Sequence, residues 1–267
     1  LMTKLCSKSG ATGGGRRIGL FGAAAVFFMI FAVHAASAGT IADDPADDVP
    51  SRRISAHAFD LGGGRTLHMA PKTHLYPPYI ADPLRPATAF AAVNYSASQI
   101  PESGKSRFVA RMGGRAGLLR FCPGGNADGG FQLNLEGVFL GMFDRDHSLD
   151  NIGWDGIYGM NISWADGEKL ALRAGLLHDS SHVGDEFAER TGQRRIDYTR
   201  QEYILGLSLK PWRFMRLYTE GGWAFDLRNK DLQDHWRLQG GLEMEKDDLF
   251  LGGNAGAYAA IDITAYE

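Results

Sequence analysis

The sequence predicts an all-β protein, an antiparallel transmembrane β-barrel with about nine strands visible. Three observations lead there. Residues 131–164 hold two long runs that alternate by parity. Aromatic side chains sit near the ends of the apolar faces. The connections between runs alternate between tight and long. In the first run Phe131, Leu133, Leu135, Phe139 and Phe143 share one face, and Gln132, Asn134, Glu136 and Asp144 share the other. In the second run Ile152, Trp154, Tyr158, Met160, Ile162 and Trp164 oppose Asp155, Asn161 and Ser163. Successive side chains of a strand point to opposite faces, so each run is a two-faced strand. Each is longer than the usual soluble strand of about 5–6 residues and suits the roughly 9–11 residues that cross a bilayer.

The other elements follow in order. A first strand is predicted near residues 88–96 and a second at 106–121, where Phe108, Ala110 and Met112 oppose Arg107, Arg111 and Arg115. Residues 123–129 form a turn. After the central pair, Asp166-Gly167 marks a tight turn. The strand 168–178 sets Leu170, Leu172, Ala174 and Leu176 against Lys169 and Arg173. A long polar loop covers 179–197. Strands at 199–210, 214–227, 233–245 and 249–266 complete the pattern, and no segment carries a convincing helical period. The connections near residues 123, 166, 211 and 247 are short, whereas those near 102, 146, 185 and 230 are longer. Outer-membrane barrels show this asymmetry.

Composition bounds the partners. The chain has 267 residues, a formal net charge of −3 and 35 glycines. The near-balanced charge offers no nucleic-acid footprint. Arg16 and Arg17 precede an apolar run over 18–33, followed by Ala36-Ser37-Ala38. This is the pattern of a secretory signal peptide over residues 1–38, with the mature chain starting at Gly39. Cys6 leaves with it, and Cys122 remains alone. Residues 39–86 read as a polar lead-in, acidic at Asp43, Asp44, Asp47 and Asp48 and ordered at Tyr76-Pro77-Pro78-Tyr79. Residues 87–267 form the barrel domain. The alternation is still running at Glu267, and an odd strand count leaves an open edge, so the visible part is expected to belong to a larger even-stranded barrel of 10–12 strands. A soluble β-sandwich is the competing fold. It would bury the apolar faces and leave Arg111, Arg115, Glu136, Arg173, Glu202, Arg216, Glu220, Arg237 and Glu243 in water.

The densest chemistry lies at residues 178–186. His178, Ser180, Ser181, His182 and Asp185 offer nucleophile, base and acid types for acyl-ester hydrolysis of outer-leaflet lipid. Asp185 and Glu186 offer hard oxygen ligands to calcium, or His178 and His182 could bind a softer metal, although nothing in the sequence requires a cofactor. Arg190, Arg194 and Arg195 offer lipopolysaccharide phosphates a basic surface. The plainer reading is a loop whose Ser, His and Asp side chains bond their own backbone. Asp144, Asp146, Ser148, Asp150 and Asn151 form a second oxygen-rich group that could bind calcium, with a solvated turn as the plainer reading. The ladder Arg107, Arg111, Arg115 reads as pairing with Glu136 and other interior acids more readily than as an anion path.

Four stretches carry a family resemblance: 75–83 (LYPPYIADP), 130–133 (GFQL), 148–153 (SLDNIG) and 180–187 (SSHVGDEF). With them the chain resembles the bacterial family of domain of unknown function 1207 (DUF1207). The resemblance implies an exported outer-membrane barrel and a longer full-length chain. For the Gram-negative outer-membrane barrel that the alternation predicts, the expected partners are membrane lipid, lipopolysaccharide and the barrel-assembly machinery. It brings no activity and no catalytic residues. The expected role is a structural or passive solute-binding or transport barrel. The alternatives are a rim hydrolase at the 178–185 patch and a soluble periplasmic β-sandwich binding module. Oligomeric state is left open.

Overall fold

The computed structural model describes residues 54–55, 57–98, 100–126, 128–195, 198–228, 233–250 and 255–267. The expected signal peptide and residues 39–53 lie outside them. Eleven strands form one antiparallel sheet: β1 (His57–Gly62), β2 (Arg65–Met69), β3 (Ala89–Asn94), β4 (Ser106–Cys122), β5 (Gly129–Asp144), β6 (Asp150–Asp166), β7 (Leu170–Val183), β8 (Tyr198–Trp212), β9 (Met215–Arg228), β10 (Trp236–Phe250) and β11 (Ala255–Tyr266). From β4 to β11 each strand pairs with the next in sequence, so the wall is a simple meander. On the far side of β4, β2 pairs with Leu119–Cys122 and β3 with Ser106–Arg111.

Two strands exceed the expected nine. They fall inside the expected polar lead-in, where the acidic composition masks a short hairpin. Phe59, Leu61, Leu67 and Met69 supply its apolar positions, and Gly62, Gly63 and Gly64 turn the chain at φ of 77°, 61° and 73°. Left-handed φ values of this kind favour glycine, which lacks the clashing Cβ. A short helix, α1 (Asp185–Thr191), stands within the stretch expected to be loop. Among the described residues no helix is long and apolar enough to cross a membrane.

The parity read from the sequence holds along the long strands, and the structure assigns its direction. The charged face is inside. Arg120, Arg200, Glu202 and Glu220 are each at most 2% exposed. The apolar face is outside, with Leu205 65%, Leu238 61% and Tyr158 58% exposed. A register shift between Gly117 and Leu119 inverts parity within β4, so Arg107, Arg111 and Arg115 point inward from odd positions and Arg120 and Cys122 from even ones. A β-bulge has this effect because one extra residue swaps the faces of all that follow. The sheet curls around its charged face: the Arg200 guanidinium of β8 lies 5.6 Å from the Tyr266 ring of β11. Among the described residues no ladder joins β11 to β1, β2 or β3.

Aromatic rings cluster at both ends of the outer face. At one end Trp154 lies 5.7 Å from Phe139 and 4.3 Å from His182, and Tyr203 lies 4.7 Å from Phe225. At the other, Trp212 lies 6.1 Å from Phe214, and Phe131 is paired with Trp164. Trp154 and Trp164 are ten residues apart on β6. At about 3.3 Å per residue and a tilt of about 40°, that separation projects to roughly 25 Å.

Candidate functional site

The enclosed face is built from arginine–glutamate pairs that reach across strands. Arg115 of β4 donates from Nε to Glu136 of β5 at 2.7 Å, and Arg173 of β7 approaches the same carboxylate at 3.6 Å. Arg173 also donates to Glu220 of β9 at 2.5 Å. Glu220 accepts from Arg237 of β10 at 2.7 Å, and Arg237 bonds Glu202 of β8 at 2.8 Å. Glu202 closes the series by accepting from Arg200 at 2.7 Å. The signs alternate along the whole series, so every member has an opposite neighbour. Buried charges persist only when paired in this way. Several pairs skip a strand, and glycine makes room for them. A Cβ on Gly206 of β8 would stand 3.0 Å from Arg173 and 3.2 Å from Glu220, and one on Gly222 of β9 would stand 2.6 Å from Glu202.

The chain between β2 and β3 enters this enclosure. Tyr76, fully buried, and Tyr79, 2% exposed, lie against the wall. The Tyr79 ring stacks on Tyr218 at 3.9 Å, and its hydroxyl donates to Glu220 at 3.0 Å. Arg216 donates to the Pro77 and Pro78 carbonyls at 2.9 and 3.3 Å while keeping Glu243 at 3.0 Å. Arg115 donates to the Tyr76 carbonyl at 2.6 Å and Arg120 to the Thr73 carbonyl at 2.7 Å. The Arg216 guanidinium also lies 5.1 Å from the Tyr76 ring and 5.4 Å from the Tyr218 ring. Proline suits this seat: its fixed φ holds the segment extended, and it carries no N–H to be left unpaired. Segment 70–88 is therefore a plug, held mostly through its carbonyls.

Beside the plug a cavity of about 70 Å³ remains, lined among others by Asp82, Arg85, Asp179, Thr264 and Tyr266. Burial pushes the Asp82 carboxyl up to about 6, with the Leu84 amide opposing and Asp262 of β11 adding to the rise. Arg237, Glu220, Tyr218 and Arg111 also interact with it. A carboxyl raised in the folded state stabilises it fully below the unfolded value of about 3.9, and this contribution is lost as pH rises through about 6. The urea midpoint of the wild type is thus expected to fall more between pH 4 and pH 6.5 than that of Asp82→Asn. Equal pH slopes for the two proteins would refute this role of Asp82.

The 178–186 patch is divided among three surfaces. Strand β7 runs through it to Val183 instead of ending at His178, so alternation separates its members. His178 and His182 face outward, the first stacked 4.5 Å from Tyr158 and the second tilted 4.3 Å from Trp154. Ser180 also lies on that face and donates to the Gly156 carbonyl at 3.3 Å, whereas Ser181 points inward and is 2% exposed. Asp185 and Glu186 stand exposed in the first turn of α1, and Asp185 pairs with Arg195 at 3.2 Å. Among the described residues no cluster of three or more His, Cys, Asp or Glu could hold a metal ion. Arg190, one of the expected phosphate-binding arginines, is turned to internal use. It donates to Asp150 at 2.6 Å and to the Glu102 carbonyl at 2.9 Å.

The second oxygen-rich group is a set of backbone caps. Asp144 accepts from the Gly104 amide at 2.8 Å and from His147 at 2.9 Å. Asp146 accepts from the Lys105 and Ser106 amides at 2.8 and 3.0 Å. Phe187 and Ala188 of α1 pack beneath them against Ile100, Met142, Ile152 and Val183. Loops and helix together form a lid-like cap on one end of the sheet.

A family model described as "Protein of unknown function (DUF1207)" matches residues 31–266. The chain belongs to the DUF1207 family. No curated protein and no solved structure matches it. The stretches that carry the resemblance now have places in the DUF1207 fold. Stretch 75–83 is the heart of the plug, and 130–133 opens β5. Stretches 148–153 and 180–187 meet at the capped end, where the Gly184 amide donates to the Ile152 carbonyl at 3.0 Å. A Cβ on Gly184 would overlap the Asn151 carbonyl, so this contact requires glycine. Sequence reasoning missed the plug as a functional element. Its signal was the Tyr-Pro-Pro-Tyr run lying outside any alternation, but its partners come from strands distant in sequence.

Proposed function

We propose that this DUF1207 chain is an integral barrel of the bacterial outer membrane, with its interior filled by segment 70–88, and that it serves a structural or solute-binding role. The observation that carries this reading is the inverted burial. Each large apolar side chain left in water forgoes about 1.5–3 kcal/mol. A handful of them matches the entire stability of a typical domain, about 5–15 kcal/mol. Here a continuous belt of Leu, Ile, Trp and Tyr faces out while the charges face in. Lipid removes that penalty. A soluble sandwich, the competing fold, would need the opposite arrangement.

Three features support the same reading. The aromatic clusters stand at a projected spacing of roughly 25 Å, the height of an outer-membrane apolar band. The expected signal peptide would carry the chain past the inner membrane. The plugged interior, with a 70 Å³ cavity well below the usual solute pocket of about 300–1,000 Å³, favours a structural role over free diffusion. The test is location and heat-modifiability. With its signal peptide, the protein is expected in the outer-membrane fraction and to run faster unheated than boiled on a denaturing gel. Recovery as a soluble, heat-insensitive periplasmic protein would overturn the reading.

A further inference from the structure

We propose that segment 70–88 is a displaceable plug, and that its withdrawal opens a water-filled path for small polar solutes with little preference for the sign of their charge. This rests on the membrane-barrel reading and deepens it. The first support is chain length. Met69 pairs with Leu119 and Ala89 with Arg111, so β2 and β3 meet β4 eight residues apart. An extended chain covers that distance, about 26 Å, in about eight residues. The connection uses the nineteen residues from Ala70 to Thr88. The excess is not needed to join the strands.

The second support is what the wall keeps if the plug leaves. Arg115 retains Glu136, Arg120 retains Gln132 at 2.8 Å, and Arg216 retains Glu243 and Ser208. Glu220 loses the Tyr79 hydroxyl but keeps Arg173 and Arg237. Withdrawal therefore leaves each of these side chains a partner on the wall, and Arg111, which donates to the Pro83 carbonyl, is the wall cation it frees to water. On the plug the freed groups are mainly carbonyls, which water satisfies. A path left behind would be lined by close pairs of both signs, which present little net field to either cations or anions.

The experiment is conductance across planar phospholipid bilayers in potassium chloride, with heat-modifiability measured on the same samples. Three proteins are compared: the wild type, a variant with residues 73–86 replaced by eight Gly and Ser residues, and the plug-side double variant Tyr76→Ala/Tyr79→Ala. We expect the wild type to conduct near baseline. Both variants should remain heat-modifiable and conduct about tenfold more, with potassium and chloride permeabilities within about threefold of each other. If the linker variant fails to fold, the tyrosine variant decides. Folded variants that conduct no more than the wild type would overturn the plug's role and leave the membrane reading intact. So would a wild type that already conducts as they do. A wild type that neither inserts nor shows heat-modifiability would overturn both.

Discussion

Glu220→Ala is expected to lower the stability of the folded chain by about 3–5 kcal/mol, the usual penalty for removing one partner of a buried ion pair. Glu220 is 1% exposed and holds Arg173, Arg237 and the Tyr79 hydroxyl at once. Without it two guanidiniums stay enclosed with less compensation, and the plug loses an anchor. The penalty comes mostly from the charges left behind, so it is not additive. Glu220→Ala combined with Arg173→Ala should be less destabilised than the sum of the two single variants. The measurement is the urea midpoint of the fast-migrating, unheated band. Asp185→Ala is the control, because that carboxylate is 72% exposed and its pair with Arg195 is solvated. Equal midpoints for Glu220→Ala and the control would show that the alternating ladder does not hold the interior together.

Leu207→Arg is expected to cost about 2–4 kcal/mol in a bilayer, the range for a cation at the midplane of a barrel's lipid face. Leu207 faces outward on β8, 41% exposed, between Tyr203 near one aromatic cluster and Trp212 in the other. Arg at this position meets no steric obstacle in a protein surrounded by water, and there the change should be near zero or favourable. The reverse change Arg228→Leu should have little effect, since that residue ends β9 and is exposed. Folding yield into lipid vesicles and the urea midpoint in them provide the readout. An unchanged midpoint for Leu207→Arg would place the apolar belt in water or against protein instead of lipid.

Both expectations turn on which face of the sheet is inside, and that marks the boundary of what the sequence alone determined. Alternation along 131–164 determined that these residues form long strands with one apolar and one charged face, because a strand's side chains must alternate. Asp166-Gly167 determined a tight turn, and the Arg and Glu residues of the charged face implied pairing. Alternation is symmetric, however, and does not say which face is enclosed. Only the curl of the assembled sheet put Glu220 and Arg200 in and Leu205 out. The partners of each arginine were equally hidden. Arg173 reaches Glu220 across β8 only because the registers bring Gly206 between them. At 178–186 the polar composition suggested a loop, yet pairing with β6 and β8 keeps β7 extended to Val183 and splits the histidines from Ser181. The hairpin of β1 and β2 and the seat of Tyr76 and Tyr79 depend on contacts with β4, β7 and β9. Local propensity carries no record of contacts so distant in the chain, so the plug became visible only once the strands that hold it had come together.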